Sequence, residues 1–204
     1  MRRTAGLAII ILCLARLVHD GASRRFRTLR KLKDERYSRS LCSASNHGNL
    51  REARRLARMR GSGNATFDGV SALHMAAWVG HTEVVDFLIA NGANIDARAW
   101  NRVTPVVLAA VCGHDDIVKL LIARGAEVDS RTSQGRTALH AAVLEGRVSV
   151  AELLIAAGAD VNAQDNAGMT PLDSADSEGR KAAAALLRKH GATTGKELDG
   201  EAAK

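Results

Sequence analysis

Aromatic side chains make up only 3% of the 204 residues, and there are just two prolines, Pro105 and Pro171. So few aromatics and β-branched runs argue against a β-sandwich, and an Ala/Leu-rich chain with spaced glycines leans helical. Three cysteines, Cys13, Cys42 and Cys112, cannot all pair, and no C-x-x-C occurs. That excludes a disulfide framework and a thiolate zinc site, and a reduced, intracellular chain is expected. What is present looks globular: 46% hydrophobic and 25% charged residues, with eighteen glycines.

The net charge of +7 hides two unlike parts. Residues 1–60 hold 16 Lys and Arg against 4 Asp and Glu, whereas residues 61–204 hold 13 against 18. A basic arm at +12 is joined to a body at −5. The alkaline balance therefore belongs to the arm and gives no reason to expect nucleic acid on the body.

The body repeats every 33 residues without a gap over four blocks, Asp68–Trp100, Asn101–Ser133, Gln134–Asn166 and Ala167–Asp199. Gly80, Gly113, Gly146 and Gly179 share one column, and Gly92, Gly125, Gly158 and Gly191 another. Ser71, Thr104, Thr137 and Thr170 form a third, placed to cap a helix N-terminus, with Pro105 and Pro171 following at the first helical position. Short helices are predicted over Ala72–Trp78, Pro105–Val111 and Ala138–Leu144, with Ala76, Ala109 and Ala142 small enough for close helix approach. The second helix of each block is amphipathic, carrying Val84, Val85, Leu88 and Ile89, then Ile117, Val118, Leu121 and Ile122. Gly92 and its equivalents suit a left-handed C-cap. Asp96, Asp129 and Asn162 open a turn-rich link fit for a hairpin-like excursion.

The segments SALHMAAWVGHTEVVDFLIANGANIDA, TPVVLAAVCGHDDIVKLLIARGAEVDS and TALHAAVLEGRVSVAELLIAAGADVNA resemble ankyrin repeats throughout their length. The resemblance implies an all-α solenoid of helix-turn-helix pairs joined by β-hairpin loops, whose concave face binds other proteins. It also implies that His74 and His140 are structural, bonding to loop backbone between repeats. His81 and His114 follow the turn glycines and are expected to close that turn in a similar way. The chain departs from the family's pattern at Arg102, where glycine is favoured, and at Val107, where histidine is favoured. Asp173-Ser174-Ala175-Asp176 stands where His-Leu-Ala-Ala is expected. Residues 167–195 accordingly read as a C-terminal cap and 196–204 as a tail. Residues 40–67, where Gly48 lies 32 before Gly80 and Leu50, Ala53 and Leu56 keep an apolar stripe beside four arginines, read as a degenerate N-terminal cap.

Residues 1–39 form the basic arm. Met1-Arg2-Arg3 precedes an apolar run, Ala5 to Leu14, that is too short to span a bilayer. It fits the apolar region of a secretory signal, with Cys13-Leu14-Ala15 the nearest cleavage motif. A first acid as late as Asp20 fits an organelle transit peptide, and an untargeted extension is the third reading. The three stay open, with cytoplasm or nucleus the expected location. Arg24–Arg39 carries eight basic residues and two acids, which suits a membrane or nucleic-acid surface or a solvated linker.

No constellation for catalysis is visible. His114-Asp115-Asp116 diverge around a helix and make no metal site. Gly191-Ala-Thr-Thr-Gly195-Lys196 is one residue short of a phosphate loop between its glycines and places Glu197 where a hydroxyl is needed. Asn64-Ala65-Thr66 is a glycosylation sequon, meaningful only on a secretory route. Cys112 lacks an activating histidine and reads as a small apolar surface residue.

The expectation is a non-enzymatic, monomeric interaction module without metal or cofactor. Its partner is another protein that the sequence does not name, nucleic acid is not expected on the repeat body, and membrane contact is confined to residues 1–39. The alternative is a targeted or membrane-associated regulator whose arm sets its location. The resemblance places the variable positions beside the loop turn and at the end of the first helix. Here these are Trp78, Val79, Arg98, Trp100, Asn101, Val103, Val111, Cys112, Arg131, Arg136, Leu144 and Glu145. Both tryptophans fall in that set, and an exposed apolar patch flanked by arginines is expected there.

Overall fold

A computed structural model describes residues 34–60 and 63–202. The apolar run 5–14, the basic segment up to 33 and the Gly61-Ser62 part of the connecting loop lie outside them. Residues 34–46 are helical (α1) and are followed by α2, Leu50–Arg60. Four helix pairs then succeed one another: α3 Ala72–Val79 with α4 Thr82–Ala90, and α5 Pro105–Cys112 with α6 Asp115–Ala123. The remaining two are α7 Ala138–Leu144 with α8 Val148–Ala156, and α9 Pro171–Ser177 with α10 Lys181–Lys189. A last helix, α11 Gly195–Ala202, follows.

The helices stack in two rows. Helices α3, α5, α7 and α9 pack in sequence to form one row, and α2, α4, α6, α8 and α10 form the other. The repeat columns are what the rows bury. Ala76, Ala109, Ala142 and Ala175 are all fully buried in the first row, where the absent side chain lets the helix axes approach. Leu88, Leu121, Leu154 and Leu187 are fully buried at one level of the second row. A single apolar core runs unbroken through the stack, and each repeat completes the burial of its neighbour.

Helix N-termini follow the sequence signals at Ser71 and Thr170, whereas Thr104 makes no side-chain cap bond. Ser71 Oγ accepts from His74 N, and Thr170 Oγ1 accepts from Asp173 N, both at 3.3 Å. Helix α6 ends at Gly125, whose φ of +85° places it in the left-handed region. Its N–H reaches Ile122 O while the next N–H, Ala126, reaches Leu121 O, both at 3.0 Å. This pair of bonds satisfies carbonyls that the helix leaves open.

The loops between pairs depart in part from a hairpin. Only the first forms a ladder among the described residues: β1 Thr66–Phe67 pairs antiparallel with β2 Val70–Ser71, Thr66 opposite Ser71. The other three fingers are each closed by a bond of 2.9 Å, Ala99 N to Val103 O, Thr132 N to Arg136 O and Asp165 N to Met169 O. Each is also closed by a turn bond of 3.0 Å, Arg102 N to Ala99 O, Gly135 N to Thr132 O and Gly168 N to Asp165 O. Further backbone bonds join adjacent fingers, Ser133 N to Asn101 O (2.8 Å) and Asn166 N to Gln134 O (2.9 Å).

Both ends of the stack are helical. Helix α1 runs through position 39, where the sequence ended the arm, because Leu41 and Ala44 are buried 32 places before Leu73 and Ala76. Helix α11 occupies most of 196–204, read in sequence as a tail.

Candidate functional site

The fingers are held by the first helix of the preceding repeat. His74 Nδ1 accepts the Ser71 N–H (3.4 Å) and hydroxyl (2.6 Å), which leaves Nε2–H to donate to Val103 O at 3.0 Å. His140 repeats this with Thr137 at 3.2 and 3.0 Å and donates to Met169 O at 3.1 Å. Burial lowers the pKa of both rings, against the pull of the carbonyls they donate to, which keeps the neutral tautomer that this geometry needs. Each box therefore ties a helix N-terminus to the finger one repeat on.

A second set of bonds runs the other way. His81 Nε2 donates to Asn46 O at 3.2 Å, and His114 Nε2 to Trp78 O at 3.0 Å. Arg147 Nε and Arg180 Nε fill the same place in later repeats, donating to Val111 O (3.2 Å) and Leu144 O (3.0 Å). These side chains bind the preceding repeat, which corrects the expectation that His81 and His114 close their own turn. The turn glycine of that preceding repeat is the floor they lie on. A β-carbon on Gly80, whose φ is +100°, would sit 2.7 Å from His114 Cε1.

On this frame the twelve positions singled out in sequence divide into three groups and one outlier, Cys112. Trp78, Val79 and Trp100 are open to solvent, at 51%, 39% and 62% exposure. Asn101, Val103, Val111, Arg136, Leu144 and Glu145 come together along one groove of about 200 Å³ between the second and third repeats. Arg98 and Arg131 point at the next repeat, Arg98 toward Glu127 (3.8 Å) and Arg131 onto Gln164 O. Cys112, half-buried at the end of α5, lies outside the groove. Burial, opposed by Arg147 and reinforced by Glu145, holds its thiol above the ordinary value.

Family comparison fits this geometry. Residues 108–197 match the family model for ankyrin repeats (3 copies), and residues 68–100 match that for the ankyrin repeat. The chain belongs to the ankyrin-repeat family. Among curated proteins none matches it.

Seen as an ankyrin-repeat stack, the chain's departures become local structure. Where its neighbours have histidine, the second repeat has Val107, buried on the groove floor. Thr104 loses its ring partner there and its hydroxyl pairs with Ser130 Oγ at 3.1 Å. The groove is also lined by Thr132, Ser133, Gln134, Thr137 and Ala141, none of which was among the twelve variable positions. Val107 was the available signal, since one apolar residue in a column of polar ones marks a cavity without its usual occupant. Arg136 is held at the groove's edge by Asp165, with Nε 3.3 Å from Oδ2. Burial pushes the Asp165 carboxyl up, but N–H bonds from Ala167 and Met169 and the Arg136 guanidinium pull it below its ordinary value. At the second finger tip Asn101 and Arg102 both take left-handed backbone, φ +55° and +59°, and the Trp100 indole lies over the preceding finger at Gly69.

Proposed function

We propose that this ankyrin-repeat chain is a non-enzymatic adaptor or regulator that acts as a monomer and holds another protein against its fingers and first helices. The observation that carries the reading is the solvent exposure of Trp78 and Trp100, the only two tryptophans of the chain, on that side of the stack. Large indoles left open by the fold are apolar area that a partner can cover, and such residues dominate binding energy at interfaces. The neighbouring groove of Val103, Val107, Val111 and Leu144 gives a partner side chain an apolar seat, with Asn101, Arg136 and Glu145 to orient it. Cross-repeat bonds on both sides keep the surface rigid, so little conformational entropy is lost on binding.

The test is affinity capture of proteins on the full chain and on its Trp78→Ala/Trp100→Ala form, followed by calorimetry with the captured partner. Trp100→Ala alone should weaken binding by about 2 kcal/mol or more and leave the melting temperature within a few degrees of wild type. Unchanged affinity, or ready unfolding of the variant, would assign Trp100 to packing.

A further inference from the structure

The first end of the stack carries a feature that partner binding on the fingers does not use. Helix α2 turns Arg51, Arg54, Arg55 and Arg58 outward, around an open depression of about 780 Å³ whose lining holds one acid, Glu52. Arg54 lies over the Phe87 ring (6.0 Å to its centroid) and Arg55 pairs with Glu52 at 2.6 Å. Arg51 and Arg58 have no such partner among the described residues. Helix α1 adds Arg36 and Arg39, both exposed, with Arg39 stacked on Phe67 at 4.8 Å. This end is basic while residues 61–204 carry −5, so the molecule is electrically polar along its stack.

We infer that the arginine face of α2 docks on an anionic phospholipid surface, through phosphate and carboxylate headgroups. Three observations select a membrane among polyanions. Guanidinium forks suit phosphate oxygens, and a row of them on an open surface reads a layer of headgroups better than it grips one ion. Met59, 71% exposed, lies on the same face with its sulfur 3.8 Å from Arg55 Nη1, which gives the face an apolar side chain to enter the headgroup layer. In sequence the face follows an apolar run, Ala5 to Leu14, and eight basic residues over 24–39. Binding to a lipid surface grows with buried apolar area and with attraction between basic side chains and anionic headgroups, and this part of the sequence supplies both. A single-stranded nucleic acid would need open aromatic faces for its bases, and here Tyr37, Phe67 and Phe87 are partly buried against the core, with Arg39 and Arg54 beside the two Phe rings. Among the described residues no helix is long and apolar enough to cross a membrane, so these residues would lie on the surface.

The experiment is co-sedimentation of the full chain with vesicles of phosphatidylcholine, and of phosphatidylcholine mixed with phosphatidylserine. Wild type should bind the mixed vesicles and not the neutral ones, and binding should weaken as salt rises. Arg51→Glu/Arg58→Glu should lose about tenfold or more in apparent affinity, and the milder Arg51→Gln/Arg58→Gln a smaller share, with helical melting checked for each. Trp100→Ala should bind vesicles as wild type does, which separates this surface from the finger side. Equal binding to neutral vesicles, an unaltered affinity in the folded Gln and Glu variants, or tighter binding to a random duplex DNA than to the mixed vesicles would each overturn the assignment.

Discussion

Asp173 Oδ2 accepts the Gly195 N–H at 2.8 Å, and with that bond the last repeat is closed. The same oxygen takes the Thr170 N–H and hydroxyl, each at 2.9 Å. In two earlier repeats this position is a histidine because the next finger offers a carbonyl, which needs a donor. After the fourth repeat the chain offers an N–H, and a carboxylate is the side chain that can receive it. Asp173 is thus a histidine box with its polarity reversed.

Asp173→Asn should therefore destabilise the chain by about 1–3 kcal/mol, because an amide brings N–H donors to a place ringed by donors. Amide exchange over 195–202 should rise more than exchange in α5 or α6. Burial pushes the Asp173 carboxyl up, but the bonds from Thr170 and Gly195 outweigh it and hold the group below its ordinary value. Its stabilisation is then present above the unfolded value near 3.9 and lost as pH falls through the lower folded value, so wild type and Asp173→Asn should converge in acid.

The histidine boxes titrate the other way. Burial depresses His74 and His140 below their value in the unfolded chain. The unfolded state then binds more protons in the window below about pH 6.5, so stability falls as pH drops through that window and is level above it. Urea midpoints should be steady from about pH 8 to 7 and decline toward pH 5. His74→Gln/His140→Gln should start lower and show a shallower decline. Parallel slopes in the two proteins would assign the pH dependence to other groups.

What could be read from sequence follows from how each contact is encoded. Ala76, Ala109 and Ala142 were legible because one packing problem is solved three times, and repetition separates a requirement from chance; the structure adds Ala175 to that column. The His81–Asn46 and His114–Trp78 bonds were not, because each histidine also sits beside a turn glycine of its own, and proximity in sequence suggested the wrong partner. Helix α11 was hidden for another reason: it has no counterpart in earlier repeats, and Asp173 looked like the loss of a core residue instead of a new acceptor. Half of the groove was visible as variable positions. Thr132, Ser133 and Ala141 were not, since only the stacking of two repeats makes them a wall.

The turn glycines supply a matched pair of tests. Gly125 has left-handed backbone and open space where a side chain would go, so Gly125→Ala meets only conformational strain, about 1–2 kcal/mol. Gly80→Ala meets that strain and the His114 ring as well. Displacing the ring also breaks its bond to Trp78 O, which brings the expected loss to about 2–3 kcal/mol. In a His114→Ala background, Gly80→Ala should cost no more than Gly125→Ala. A full-sized cost there, measured by urea denaturation in a double-mutant cycle, would show that the ring is not what Gly80 accommodates.

Val107 decides between stability and binding in the second repeat. The fold gives it the place from which His74 and His140 reach Val103 O and Met169 O, and the matching acceptor, Arg136 O, is present and already takes the Thr132 N–H at 2.9 Å. A carbonyl has two lone pairs, so a ring there would find its bond. Thr104 would also regain the partner that its neighbours Ser71 and Thr137 have. Val107→His should therefore raise stability by about 1 kcal/mol, the net value of a buried hydrogen bond less the loss of apolar packing. The same ring would fill the floor of the groove lined by Val103, Val111 and Leu144 with a polar edge. Binding of the captured partner should weaken about tenfold or more, since a side chain seated there would lose its apolar contact. Melting and affinity should move in opposite directions. A variant that melts higher and binds as before would place the partner on the tryptophans and leave the groove unused.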